Sequence, residues 1–324
     1  MRSHAIRVTE TGGPDVLKWR VVEVAEPEPG EVLVTHEAVG LNYIDTYHRT
    51  GLNPVELPFT PGVEAAGIIE AVGPDVSEFQ AGDRVAYCTA PPGSYAEQRV
   101  VSADHLVPLP DGIEFEIAAA TLLKGMTVEY LIHRTYPVAA GDTVLWHAAA
   151  GGVGLIACQW LKRLGATVIG TVGSEEKAEL ARAHGCDHTI LYRQEDVAKR
   201  VRELTDGRGV PVAYDAVGAA TRGASLDSLA PRGIYACFGN ASGPPEPVAA
   251  AELVGRGSLY FTRPSLAHYA ASGEDLLNGA KAVFNVIADG LKVEVNQRFA
   301  LEDASSAHRA LEARETTGST VLLP

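Results

Sequence analysis

The chain has 324 residues, and its composition of 46% hydrophobic and 21% charged residues with a mean hydropathy of +0.02 is that of a globular protein, not a disordered one. Its formal charge of -14 and pI of about 5.2 oppose phosphodiester backbones and anionic lipid heads, which makes nucleic acid an unlikely partner. Length alone predicts about two domains, because single cores stop growing near 250 to 300 residues. The opening MRSHAIRVTETGG lacks the apolar core of a signal peptide, and no run reaches the roughly 18 apolar residues of a membrane span. Cys88, Cys158, Cys186 and Cys237 form no C-x-x-C pair, so neither a disulfide framework nor a cysteine-built zinc site is expected. The expected location is the cytoplasm.

In chain order, the first segments are β-rich and punctuated by Gly and Pro: EVLVTHEAVGLN, GVEAAGIIEAVG, AGDRVAYC and GSYAEQRVV. Gly62, Gly67, Gly73 and Gly82 fall where tight turns or bulges are needed. This texture predicts an antiparallel, partly barrel-like domain. A helix over residues 115–134, FEIAAATLLKGMTVEYLIHR, then leads onward.

From Gly141 the pattern changes. DTVLWHA reads as a strand, and VGLIACQWLKRL places Val153, Ile156, Ala157, Trp160, Leu161 and Leu164 on one helix face, ended by Gly165. TVIGTV is a strand and SEEKAELARAHG a helix, with Ser174 as N-cap and Gly185 as stop. Strands HTILY, VAYDAV, GIYACFG and SLYFTR follow, with the helix EDVAKRVRELT after the first of them. Six strands with helical crossovers predict an α/β fold with a doubly wound, Rossmann-type six-stranded parallel sheet. The tail reads as the helices DLLNGAKAVFNVIADG and LEDASSAHRALEAR with short strands at VNQRFA and STVLLP. It is assigned back to the first domain, which gives a catalytic part at 1–124, a nucleotide-binding domain at 125–264 and a second catalytic part at 265–324.

Between the first strand and helix of the nucleotide domain stands Ala149-Ala150-Gly151-Gly152-Val153-Gly154, a dinucleotide turn whose first glycine is alanine. Gly151 lets the backbone approach a pyrophosphate, Gly154 lets helix pack on strand, and Ala149 is tolerated if its φ stays negative. His147 beside the turn reads as a strand-end core histidine. NADH sites usually place Asp or Glu about 20 residues on, at the end of the second strand. Here that strand ends in Gly173 and Ser174, with Lys177 one helical turn in and Tyr192 ending the third strand. With Glu175 and Glu176 pointing outward, Ser174, Lys177 and Tyr192 would take a 2′-phosphate, and NADPH is the expected cofactor.

GGPDVL, GLNYIDTYHRTG, PGVEAAGIIEAVG, GDRVAY, LLKGMTVEYL, HAAAGGVGLIACQ, GTVGSEEK, FGNASG and LYFTRPSL together resemble the zeta-crystallin type of NADPH-dependent quinone oxidoreductase, in the medium-chain dehydrogenase/reductase superfamily. The resemblance spans essentially the whole chain and implies a GroES-like first domain. The superfamily's zinc alcohol dehydrogenases carry a cysteine in the first catalytic segment, a G-H-E triplet and a four-cysteine lobe. This chain has Asn42-Tyr43-Ile44-Asp45, Gly62-Val63-Glu64 and no such lobe. A catalytic zinc needs three protein ligands and Val63 cannot be one, so no metal is expected. Reduction of an electron-poor acceptor such as a quinone, in a cleft between the domains, is then the natural chemistry.

By the same resemblance Asn42, Asp45, Thr46, Tyr130, the Phe238-Gly239-Asn240 turn, and Phe261, Thr262 and Arg263 approach the nicotinamide end. Tyr47 and Tyr43 are expected to stack a quinone ring or donate a hydroxyl, and Arg263 to steady the developing oxyanion. Each has a plainer reading: Asn42 and Asp45 as turn caps, Phe261 and the tyrosines as packing. GSLYFTRPSL would be an edge strand that pairs across a two-fold in a homodimer. Two other functions remain open: reduction of enone or alkenal double bonds, and a structural or RNA-binding protein that keeps NADPH without turnover.

Overall fold

The structure, a computed structural model, describes residues 1–324. The chain divides into two compact units, Met1–Met126 with Tyr269–Pro324, and Thr127–His268.

In the first unit β1 (Arg2–Arg7) pairs antiparallel with β2 (Lys18–Glu23). Then come β3 (Glu31–Gly40), β4 (Ala65–Val72), β5 (Arg84–Tyr87), β6 (Gln98–Ser102) and β7 (Val107–Pro108). β3 pairs antiparallel with β4 and β6, β4 with β5, and β5 with β7. Gly67 has the close approach expected of it: a Cβ there would lie 2.0 Å from the Thr35 carbonyl oxygen, beside a register shift between His36 and Ala38. Inward residues Val32, Val34, Ile69, Val85 and Tyr87 make the core with Ile6 and Val8. Between β3 and β4 the chain forms α1 (Tyr43–Thr50), which apolar periodicity did not predict. Its first turn is closed by Asp45, whose carboxylate accepts the Asn42 backbone N–H at 2.9 Å, and Gly51 ends it at φ +80.

The predicted long helix is α2 (Phe115–Glu129) followed by a π-helical turn, Tyr130–Thr135. The nucleotide unit follows as β8 (Thr143–Trp146), α3 (Gly152–Arg163), β9 (Thr167–Val172), α4 (Glu175–Ala183), β10 (His188–Leu191), α5 (Val197–Leu204), β11 (Val210–Asp215), α6 (Arg222–Ser228), β12 (Leu229–Cys237), α7 (Ala250–Gly255) and β13 (Tyr260–Thr262). All pairs in the six-stranded sheet are parallel, in the order β10-β9-β8-β11-β12-β13. That is the doubly wound order, and its switch point lies between β8 and β11. TVIGTV forms β9 because both faces of a parallel strand are covered, which suits a run of β-branched residues without a charge.

After α8 (Leu266–Tyr269) the chain returns to the first unit with α9 (Gly273–Ala288), β14 (Val295–Ala300), α10 (Ala304–Glu312) and β15 (Ser319–Leu323). β15 pairs antiparallel with β3 and parallel with β14, completing a seven-stranded sheet of order β14-β15-β3-β4-β5-β7, with β6 beside β3 off this path. One parallel pair, β14 with β15, thus joins the otherwise antiparallel sheet.

The glycine-poor turn after β8 keeps Ala149 out of the left-handed region; the exposed Ala148 takes it instead, at φ +57. An L side chain there costs about 1–2 kcal/mol, and glycine gives back about 0.5–1 kcal/mol through its freer unfolded chain. Ala148→Gly is therefore expected to stabilise the protein by about 0.5–1 kcal/mol. A raised thermal midpoint would show it; a lowered one would refute the strain account.

Candidate active site

Asn42, Tyr43, Asp45, Thr46 and Tyr47 all sit on α1 or its cap, and the inward face they build is polar. Asn42 Nδ2 donates to Glu64 Oε2 at 2.7 Å, and the other Glu64 oxygen accepts the Leu123 backbone N–H at 2.7 Å. Lys124, 6% exposed on α2, places Nζ 3.4 Å from the same Glu64 oxygen that Asn42 touches. Because its NH2 faces a carboxylate, the Asn42 amide is oriented with its carbonyl oxygen turned away. Asp45 is fully buried, and Oδ2 also accepts the Tyr95 hydroxyl at 3.0 Å. Desolvation pushes its carboxyl up to about 7 against the opposing hydrogen bonds from Asn42 and Tyr95.

Behind Tyr95 lies His308, and behind His308 the Arg49 guanidinium, bidentate on Glu312 at 2.6 and 3.1 Å. Burial and Arg49 hold His308 down at about 3, so it is neutral. Tyr43 donates its hydroxyl to the Leu311 carbonyl at 3.1 Å, which leaves its ring, 6.5 Å from that of Tyr47, as the part open to stacking. The Thr46 hydroxyl donates to the Tyr43 carbonyl at 2.7 Å. Asp45 offers no surface to a cofactor and can act only through the groups it holds.

In the nucleotide unit the remaining residues gather at the carboxyl edge of the sheet. No side chain caps the first turn of α3, whose N-cap is Gly151, so its amides and dipole point outward. A Cβ at Gly154 would lie 2.5 Å from the Ala148 oxygen and 2.6 Å from the Ala149 oxygen, so α3 can begin this close to β8 only with glycine there. Gly152 and Val153 complete that turn. At the end of β9, Ser174 caps α4 by accepting the Lys177 backbone N–H, and a Cβ on Gly173 would come within 2.9 Å of the Tyr192 hydroxyl. Glu175 is exposed and paired with Arg182 at 2.6 Å, and Glu176 is exposed, so neither acid closes this corner.

Phe238, Gly239 and Asn240 follow β12, the Phe238 ring lying 5.8 Å from Trp146. Gly239 could carry no side chain, since its Cβ would lie 2.4 Å from the Ala216 oxygen. Phe261, 5.3 Å from the Tyr235 ring, and Thr262 end β13, and the exposed Arg263 donates to the Pro264 carbonyl at 3.3 Å. Tyr130 is buried in the π-helical turn. His147 is buried too: Nδ1 contacts Thr171 Oγ1 and Nε2 contacts Ser225 Oγ, each at 3.0 Å, and Ser225 donates to Asp215 at 2.9 Å.

These placements suit a dinucleotide: uncapped amides at a helix start, the close approach of Tyr192 that Gly173 permits, and a serine and a lysine in the first turn after β9. No group of three His, Cys, Asp or Glu residues is arranged to hold a metal ion. The four cysteines are free and buried. Glu64, Lys124, Tyr95, Arg49 and His308 were not singled out by sequence. Lys124 carried one usable signal, a cation inside the otherwise apolar helix ATLLKGM.

Residues 28–111 match the alcohol dehydrogenase GroES-like domain and residues 152–290 the zinc-binding dehydrogenase domain. The chain is 55% identical to a quinone oxidoreductase of Pseudomonas aeruginosa, over 98% of this chain and 99% of that protein. It is 46% identical to a 2-haloacrylate reductase of a Burkholderia species, over 98% of each. The solved structure of Escherichia coli quinone oxidoreductase complexed with NADPH superposes with a TM-score of 0.97 at 46% identity, covering 99% of this chain and 100% of that one. With the doubly wound sheet, the GroES-like unit and this full-length likeness, the chain belongs to the quinone oxidoreductase family of the medium-chain dehydrogenase/reductase superfamily.

Proposed function

We propose that this protein is an NADPH-dependent quinone reductase that works without a metal. The observation that carries the reading is the end of β9, where Gly173 and Ser174 stand in place of Asp or Glu with Lys177 and Tyr192 nearby in the fold, in a chain akin over its full length to proteins named quinone oxidoreductase. Gly151 to Gly154 receive the pyrophosphate on backbone amides, and Ser174, Lys177 and Tyr192 receive the 2′-phosphate. Asn42, Thr46, Tyr130, Phe238, Gly239, Asn240, Phe261 and Thr262 position the nicotinamide end. When bound, the cofactor supplies a hydride. The Tyr47 ring stacks on the acceptor with Tyr43 beside it, and Arg263 offsets negative charge on the reduced oxygen. A quinone suits such a site because its reduced anion is stabilised by its own ring, which leaves positioning as the protein's main task.

The reading includes a homodimer through the free edge of β13, where Tyr260 is 60% exposed. It also includes a cytoplasmic location, which suits four free cysteines. No helix is long and apolar enough to cross a membrane. The likeness to a 2-haloacrylate reductase favours one second reading, reduction of an activated carbon–carbon double bond.

Parallel assays with NADPH and NADH, a benzoquinone, a naphthoquinone and an alkenal separate these readings. NADPH consumption with hydroquinone formation, unchanged by a chelator, is expected; a saturated carbonyl product alone selects the second reading, and loss of activity on chelation removes the metal-free account. Lys177→Ala forfeits a charge-assisted bond of about 1.5–3 kcal/mol, so the NADPH dissociation constant should rise roughly 10- to 150-fold while that of NADH barely moves. Tyr47→Ala should lower kcat/KM for quinone by roughly 2- to 12-fold, the equivalent of about 0.5–1.5 kcal/mol of ring contact. Unaltered turnover would take Tyr47 out of the mechanism.

A further inference from the structure

The two oxygens of Asp45 differ sharply. Oδ2 accepts from the Asn42 N–H at 2.9 Å and the Tyr95 hydroxyl at 3.0 Å, whereas the buried Oδ1 has no hydrogen-bond partner. The direction of the Tyr95 bond is imposed from behind. A guanidinium only donates, so His308 Nδ1 accepts from Arg49 at 3.1 Å and carries its hydrogen on Nε2. Nε2–H donates to the Tyr95 oxygen at 3.0 Å, and the Tyr95 hydrogen is left for Asp45 Oδ2. Both donors therefore converge on one oxygen.

Charge counting gives the same answer. The groups facing Asp45 are Tyr95 with His308 and Arg49 behind it, Glu64 at the start of β4, Lys124 on α2 with the Cys88 thiol beside that pair, and His48 on α1 itself. Arg49 is matched by Glu312 and Lys124 by Glu64. Burial keeps His48 and His308 neutral and the Cys88 and Tyr95 protons in place. No cation is left for Asp45. An anionic Oδ1 without a donor in this dry setting costs more than a neutral hydroxyl.

We propose that Asp45 holds a proton on Oδ1 in the resting enzyme and is a positioning residue for Asn42: fixed by the Arg49–His308–Tyr95 relay, it closes through Oδ2 the turn from which Asn42 presents its amide. Only the task given to Asn42 rests on the function proposed above.

Asp45→Asn keeps the shape of the neutral acid and cannot ionise. Infrared difference spectra of the cofactor-free full chain, wild type against D45N at about pH 6, should show a carboxylic-acid carbonyl band in wild type; its absence overturns the proposal. In Y95F that band should titrate at higher pH, because the lost hydroxyl favoured the ionised form; an unmoved midpoint overturns the relay. Melting gives a further test. Folding raises this acid from its usual value of about 3.9, so the native state holds the extra proton. The stability gained is full below that value and is lost as pH rises through about 7. The melting midpoint of D45N relative to wild type should therefore climb between about pH 4 and pH 7 and level off above; a constant difference refutes the retained proton. Finally, D45A, which removes the acceptor that closes the Asn42 turn, should raise the NADPH dissociation constant severalfold, and D45N, which keeps an oxygen there, should recover most of the lost affinity. An unchanged constant in D45A overturns the positioning role. Failure to bind NADPH at any pH would instead sink the proposed function and leave the infrared and melting results standing.

Discussion

The first unit depends on keeping charge dry. Arg49, 1% exposed, donates from Nε to the Gly12 carbonyl and from its other nitrogens to His308 and Glu312, so one guanidinium ties the N-terminal arm, α1 and α10 together. Lys124 and Glu64 do the same for α2, the start of β4 and the Asn42 turn. Buried ion pairs repay little of their desolvation as net stability, but removing one partner is severe, because the other stays charged without water. Such a network specifies one arrangement and penalises the rest. That is the property wanted where a short helix must carry several functional side chains.

The nucleotide unit solves the same problem with one carboxylate. Asp215, at the end of β11, accepts the backbone N–H groups of Val217 and Gly218 and the hydroxyls of Thr221, Ser225 and Tyr235. Ser225 continues to His147 after β8, and His147 to Thr171 in β9. A single buried chain thus fixes the carboxyl ends of β8, β9, β11 and β12. The glycine turn, the Ser174 corner and the Phe238 turn all leave from that edge, so the loops start from rigid points. Ser, His and Asp stand in contact here, yet Ser225 is wholly enclosed and its hydroxyl donates to the acid, which makes the set a brace and not a nucleophile.

How much of this the sequence could reveal follows from the kind of burial. Strands such as TVIGTV were legible because a parallel strand covered on both faces is short, uncharged and rich in β-branched residues, and α4 because Ser174 and Gly185 mark its ends. α1 was illegible for the opposite reason. Its inward face is Asp45, Thr46, His48 and Arg49, so the periodicity that betrays a helix is present in polarity inverted against the rule. His308 and Glu312 pair with Arg49 across more than 250 positions, which no local pattern encodes. The individual roles at the nicotinamide end came from family resemblance; spacing alone left Asn42 and Asp45 as turn caps, and capping is part of what Asp45 does.

The substitution at Val63 connects these points. In the zinc enzymes of the superfamily the histidine of the G-H-E triplet binds a doubly charged ion. Here Val63 is buried and apolar, the neighbouring Glu64 still faces inward, and the cation it meets is the Lys124 ammonium. A lysine brings one positive charge where zinc brings two, and it cannot gather three ligands around itself. One acid of the pair Asp45 and Glu64 is therefore left without compensation. Glu64 is held by the Leu123 amide, Asn42 and Lys124, whereas Asp45 has donors on one oxygen only. The deficit falls on Asp45, and the cheapest way to meet it inside a dry protein is a proton. With Lys124 matched to Glu64, the charge that varies with pH at this site is that of Asp45.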